Sequence, residues 1–174
     1  MTEVVGIDPS LTSTGVAIRD ETFVIQSKAK GMERLAEIRD AVFSELVELR
    51  RCSDEPVVVM VEGYAFAKRT SHAHAQGELG GVLRLSWHEH GFTFVEIPPT
   101  CRAKFATGKG NASKSASISS VSARTQQAWS GSGADDECDA WILQEMGLCY
   151  LEKPRYDWPE RNQTALLNID WGDL

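Results

Sequence analysis

The sequence predicts an α/β domain built on a central mixed five-stranded sheet flanked by helices. Three observations carry that prediction. Short apolar runs each stop at an acidic residue or a proline, and amphipathic helical stretches lie between several of them. The 174 residues, 42% hydrophobic and 25% charged, have the size and composition of one globular domain with a sizeable core.

Residues 3–8 form an apolar run that ends at Asp8 and Pro9, which suits a buried strand with the carboxylate at its tip. Residues 14–19 and 22–26 are β-rich and separated by Asp20 and Glu21, so the fold begins with three strands in a meander. Leu35, Ile38, Val42, Leu46 and Leu49 recur at helical spacing, predicting an amphipathic helix over 32–51. Residues 56–61 are continuously apolar and lead into Glu62, as in an internal parallel strand reached by a right-handed crossover. A second helix is expected over 67–90, with Ala73, Gly77, Gly80 and Gly81 near one side to allow close approach of a neighbour. Residues 92–97 alternate as a strand and stop at Pro98 and Pro99. Residues 107–111 form a glycine loop, Ser113 is a plausible N-cap, 115–124 a weak helix and 135–146 the last helix. Residues 1–150 make up the domain, and 151–174 an irregular tail packed on it or extending from it.

The net charge of -7 argues against bulk electrostatic coating of nucleic acid or an anionic membrane. The charge is segregated, however. No acidic residue occurs between Glu96 and Asp135, whereas Arg102, Lys104, Lys109, Lys114 and Arg124 fall in that stretch. A local basic stripe on an acidic body is the expectation. Cys52, Cys101, Cys138 and Cys149 form no CxxC pair and no zinc spacing, pointing to free thiols in a reducing compartment. With no secretory leader pattern and no apolar run of about 18 residues, a cytoplasmic, non-membrane setting is expected.

Two strands ending in Asp8 and Glu62 can place both carboxylates at one edge of the sheet, where open α/β sheets build their sites. The last helix opens with acidic residues, of which Asp136 and Asp139 stand at i and i+3 on one face. Acids in a first helical turn also favour the helix dipole. Four acids from three segments are nonetheless what a two-metal phosphoryl-transfer site needs, because Mg²⁺ takes hard oxygen ligands and two ions can stabilise both the attacking and the leaving oxygen.

Gly6-Ile-Asp-Pro-Ser-Leu-Thr-Ser-Thr-Gly15, Val61-Glu62, Gln76-Gly-Glu-Leu-Gly80, Lys104 and Lys114 about a glycine loop, and Asp136-Glu-Cys-Asp139-Ala140 occur in an order that resembles the RuvC-type Holliday junction resolvases. The resemblance runs from about residue 4 to 148. It implies an RNase H-like fold of the retroviral integrase superfamily, a homodimer, and Mg²⁺- or Mn²⁺-dependent nicking of four-way DNA junctions in recombination and repair. The implied products are 5′-phosphate and 3′-hydroxyl ends. Asp8, Glu62, Asp136 and Asp139 match the metal-binding catalytic acids, with two Mg²⁺ ions per site and Lys114 neutralising developing phosphate charge. Lys104 and Lys114 match residues that hold the DNA backbone, and Tyr64 or Phe66 matches an aromatic that contacts junction bases. Lys68 and Arg69 lie in a stretch free of acids beside the proposed site and, with Arg102 and Lys109, complete the expected DNA-binding set. The helix around Gly77 and Gly81 is the expected dimer interface. Ser10 stands where the family usually carries glycine, and the lysine pair is slightly closer than usual; both suggest a divergent member, of phage type.

An RNase H acting on RNA–DNA hybrids is the alternative nuclease reading, and a non-catalytic junction-binding module is another. The first loop also resembles that of sugar kinases and actin, but a second lobe does not fit in 174 residues. The segment from Thr107 to Ser115 lacks the spacing of a nucleotide P-loop. His72 with His74, and His88 with His90, diverge on a helix and suit solvated side chains better than metal ligands.

Overall fold

Strand pairing follows from where the apolar runs fall. In the computed structural model, which describes residues 2–64, 71–172 and 174 (71 and 72 by backbone alone), β1 (Glu3–Asp8) lies at the centre of a five-stranded sheet. β2 (Thr14–Ile18) and β3 (Glu21–Ile25) continue antiparallel from one side of it. After α1 (Gly31–Cys52), β4 (Val57–Glu62) pairs with β1 in parallel. After α2 (Ser71–Glu89), β5 (Thr93–Ile97) pairs with β4 in parallel, giving the order β3-β2-β1-β4-β5. The remaining helices are α3 (Pro99–Thr107), α4 (Lys114–Thr125), α5 (Ala134–Tyr150) and α6 (Glu160–Gln163), followed by a 3₁₀ turn over Leu166–Asn168. No helix among the described residues is long and apolar enough to cross a membrane.

Alternation along the strands splits the core in two. Val5, Ile7, Val59 and Val61 pack under the predicted stripe of α1, with Leu79, Leu83 and Trp87 of α2. Val4, Val58 and Met60 face the other way, onto Trp141, Ile142 and Leu143 of α5. By the same alternation Gly6 and Asp8 of β1, and Glu62 of β4, belong to the α5 face.

Two glycines let α5 lie directly on the sheet. A Cβ on Gly6 would stand 1.9 Å from the Ala140 carbonyl oxygen, and one on Gly15 would stand 2.0 Å from that of Asp136. Any side chain at either position would push the helix away. These glycines therefore set the height at which Asp136 and Asp139 sit over Asp8.

Several expectations change. α3 lies in a stretch with no predicted element, where Pro99 occupies the first helical turn and Gly108 closes the end in the left-handed conformation. The final segment is not irregular throughout. Besides α6 and the 3₁₀ turn, it buries Trp158, Ala165, Ile169 and Trp171 in the α5-side core, and Trp171 stacks on Tyr150 at 3.9 Å between ring centroids. Of the small residues of α2, Gly80 is packed against neighbours within the chain. A Cβ on Gly80 would meet the Tyr64 hydroxyl at 2.7 Å and Arg84 Nη1 at 2.5 Å, whereas Gly81 faces open space.

Candidate active site

β1 and β4 run in parallel with Ile7 opposite Val61, so Asp8 and Glu62 leave adjacent strands at the same edge. The turn after Asp8 is held by hydroxyls: Thr14 Oγ1 donates to the Ser10 carbonyl at 2.7 Å, and the Ser10 N–H donates to Thr14 Oγ1 at 3.1 Å. Gln76 of α2 donates from its amide to the Pro9 carbonyl, fixing that turn from the opposite layer. α5 supplies Asp136 and Asp139, the latter fully buried.

Two cations hold the carboxylates. Lys114, the first residue of α4, follows the N-cap Ser113, whose hydroxyl accepts from the Ala116 N–H at 3.2 Å. Its Nζ lies 3.1 Å from Asp136 Oδ1, 3.3 Å from Asp135 Oδ2, 3.4 Å from Asp139 Oδ2 and 4.0 Å from Asp8 Oδ2. Asp135 is half-exposed and Asp136 largely buried, so Asp136 is the one turned into the cluster. Arg102 of α3 donates from Nε to Glu62 Oε1 and from Nη1 to Asp139 Oδ1.

That position corrects the expectation that Arg102 faces DNA. Its residue is only 6% exposed, and both of its carboxylate partners belong to the candidate site. The basic stripe is correspondingly smaller than the charge pattern suggests. Arg124 donates to the Asp157 carbonyl and lies over Trp158, and Lys114 is engaged by the acids. Lys104, half-buried, and Lys109, exposed, make no ion pair among the described residues. Phe66, Lys68 and Arg69 lie outside the described residues. Tyr64 does not stand free: its hydroxyl donates to the Gly77 carbonyl and accepts from Arg84 Nη1 at 2.7 Å, with the Arg84 guanidinium over its ring. Arg84 Nε in turn lies 2.5 Å from Glu96 Oε1.

The electrostatics are those of like charges forced together. Burial first, then the Glu62 and Asp139 charges, push Asp8 well above the ordinary carboxylate range. Burial pushes Asp139 up to about 6, outweighing the attraction of Arg102 and Lys114. Burial works against the charges on Arg102 and Lys114, but the surrounding carboxylates outweigh it and hold both cations protonated. Asp139 Oδ2, completely buried, has no well-aligned hydrogen-bond donor and meets only the Lys114 ammonium, 3.4 Å away.

The donor set suits a hard divalent cation: carboxylate oxygens from β1, β4 and α5, one of them buried and met only by the Lys114 ammonium. As the side chains stand, no three acidic, histidine or cysteine residues among those described are grouped closely enough to hold one ion. Lys114 and Arg102 already occupy the carboxylate oxygens that such an ion would need. Cys138 and Cys101 are buried thiols pushed upward by burial.

A mixed sheet ordered β3-β2-β1-β4-β5, with carboxylates ending its two central parallel strands and an acidic helix laid over them, is the RuvC-type version of the RNase H-like fold. Two solved structures of RuvC from Thermus thermophilus superpose on it. One shares 20% identity with a TM-score of 0.64, covering 90% of this chain and 99% of that one. The other, T. thermophilus RuvC in complex with Holliday junction substrate, shares 18% identity with a TM-score of 0.64, covering 91% of this chain and all of that one. At these identities the likeness is one of fold. No protein-family profile matches the sequence, and no curated protein matches it.

Proposed function

We propose that the protein is a structure-selective DNA endonuclease that resolves four-way junctions and related branched DNA by paired, divalent-metal-dependent nicks. The observation that carries this reading is the convergence of Asp8, Glu62, Asp136 and Asp139 from three elements at one sheet edge, in a fold shared with a RuvC that has been seen on a Holliday junction. Asp8, Asp136, Asp139 and Glu62 are the residues that would hold Mg²⁺ or Mn²⁺. The bound cation supplies Lewis-acid activation of water and neutralisation of charge on the phosphodiester.

The chain's own residues account for the rest. Lys114 Nζ, on a half-exposed side chain, is placed to leave the acids and bear on phosphate oxygens as charge develops there. Lys104 and Lys109, without carboxylate partners among the described residues, offer sequence-independent phosphate contacts. Water adds to phosphorus as the bond to the 3′ oxygen breaks, leaving a 5′-phosphate and a 3′-hydroxyl. A homodimer would supply two sites for the two opposed nicks of a nearly two-fold symmetric junction.

The test is cleavage of labelled four-way junction, flap, fork, duplex and RNA–DNA hybrid substrates with Mg²⁺ or Mn²⁺. Paired symmetric nicks in the junction are expected. Hybrid cleavage without junction cleavage would move the reading to an RNase H, and junction binding with no metal-dependent nicking would leave only a binding module.

A further inference from the structure

We infer that Arg102 is a built-in cation of the carboxylate cluster, taking the place of one of the two divalent ions, so that each chain binds a single tightly held ion. The inference rests on the proposed function only in taking Asp8, Asp136 and Asp139 as metal ligands, and it departs from that reading in withdrawing Glu62 from the set.

The two cations of the site differ in the way this requires. The Arg102 side chain is 8% exposed, and its guanidinium joins Glu62 of β4 to Asp139 of α5. Cys101, Phe105 and Ala106 of the same helix are buried in the α5-side core, so α3 is anchored on the face that carries the arginine. A divalent ion competing for both Glu62 Oε1 and Asp139 Oδ1 would leave a guanidinium buried and unpaired, which is strongly unfavourable. Arginine also stays charged at any working pH, so it cannot yield by losing a proton. Arg102 is therefore a fixed occupant.

Lys114 is an exchangeable one. Its side chain is 48% exposed and its stem flexible, so it can swing into solvent or onto a phosphate without stranding a charge. The oxygens it now bridges, Asp8 Oδ2, Asp136 Oδ1 and Asp139 Oδ2, come from two elements and already converge on one ammonium. Asp139 Oδ2 is the buried oxygen met only by the Lys114 ammonium. The three carboxylates are not grouped closely enough to hold an ion as they stand, and the inference is that they close on one when Lys114 leaves, with Glu62 held back by Arg102.

The test counts Mn²⁺ bound by the full chain without DNA, by titration calorimetry and by the electron paramagnetic resonance signal of free Mn²⁺. Wild type should bind one ion tightly, with any second at least about tenfold weaker, as expected where a fixed positive charge stands within a few ångströms of the vacant position. Arg102→Gln should raise the count to two, Arg102→Lys should keep it at one, and Lys114→Ala should tighten the single ion without changing the count. Two equivalent ions in wild type, no bound ion, or a count of one in folded Arg102→Gln would overturn the inference. Should Arg102→Gln fail to fold, the wild-type and Arg102→Lys counts decide. Junction nicking by wild type carrying two equivalent ions overturns this inference and leaves the proposed function standing; one tight ion without nicking does the reverse.

Discussion

Asp139 and Glu145 lie on the same helix less than two turns apart, and both are fully buried. Their surroundings are opposite. Glu145 Oε1 accepts from the Arg155 N–H at 2.9 Å, the Tyr156 N–H at 3.3 Å and Trp158 Nε1 at 3.1 Å, while Oε2 accepts from Arg155 Nε at 2.8 Å. Arg155 is completed in turn by Gln144 Oε1 and the Arg19 carbonyl. Every oxygen has partners, and they come from the final segment, so this carboxylate ties residues 155–158 to α5. Asp139 keeps one oxygen without a well-aligned hydrogen-bond donor and shares its cations with other acids. A buried charge with complete bonding serves the fold, whereas one left incomplete among like charges is held for something the chain does not itself provide.

The sharpest way to break this contrast is to neutralise each member. Asp139→Asn should reduce junction nicking by on the order of 10³-fold or more while keeping the fold and junction binding, measured by gel cleavage and mobility shift. Glu145→Ala should instead cost about 4 kcal/mol in urea denaturation, because Arg155 and the Trp158 N–H lose their buried acceptor. The contrast fails if Asp139→Asn unfolds the chain or Glu145→Ala leaves its stability unchanged.

A pH titration sharpens it next. Burial raises the Asp139 carboxyl to about 6 in the folded protein. Its contribution to metal-free stability is thus fully present below about pH 4 and is lost as pH rises through about 6, a change of about 3 kcal/mol. Wild-type minus Asp139→Asn unfolding free energies should show that fall, and saturating Mg²⁺ should flatten it; a flat metal-free difference would contradict the account. The smallest effect is expected at Gly6→Ala, which forces β1 and α5 apart at Ala140. It should cost about 2 kcal/mol and lower nicking through Asp136 and Asp139, as read by urea denaturation and gel cleavage.

Much of this was legible in the chain. Asp8 and Glu62 each end a buried apolar run, and strand alternation then puts both on one face. Asp136 and Asp139 share a helix face by spacing alone, and Ser113 announced its own cap. Arg102 was misread because a basic residue in an acid-free stretch suggests a surface. A signal was present: Arg102 stands three and four residues before Phe105 and Ala106, on the apolar side of a short helix opened by Pro99. Tyr64 gave no comparable signal, since its tie to Arg84 and Glu96 joins the segment after β4 to α2 and β5 across gaps in sequence.

The sequence by itself determined the order of the elements, the face each strand buries and the identity of the acids, because those depend on periods of two and 3.6 residues along the chain. Only the tertiary structure decided which cations meet those acids, how closely α5 rests on Gly6 and Gly15, and which buried carboxylate is left incomplete. Each of those depends on contacts between segments far apart in sequence, and no local periodicity encodes them.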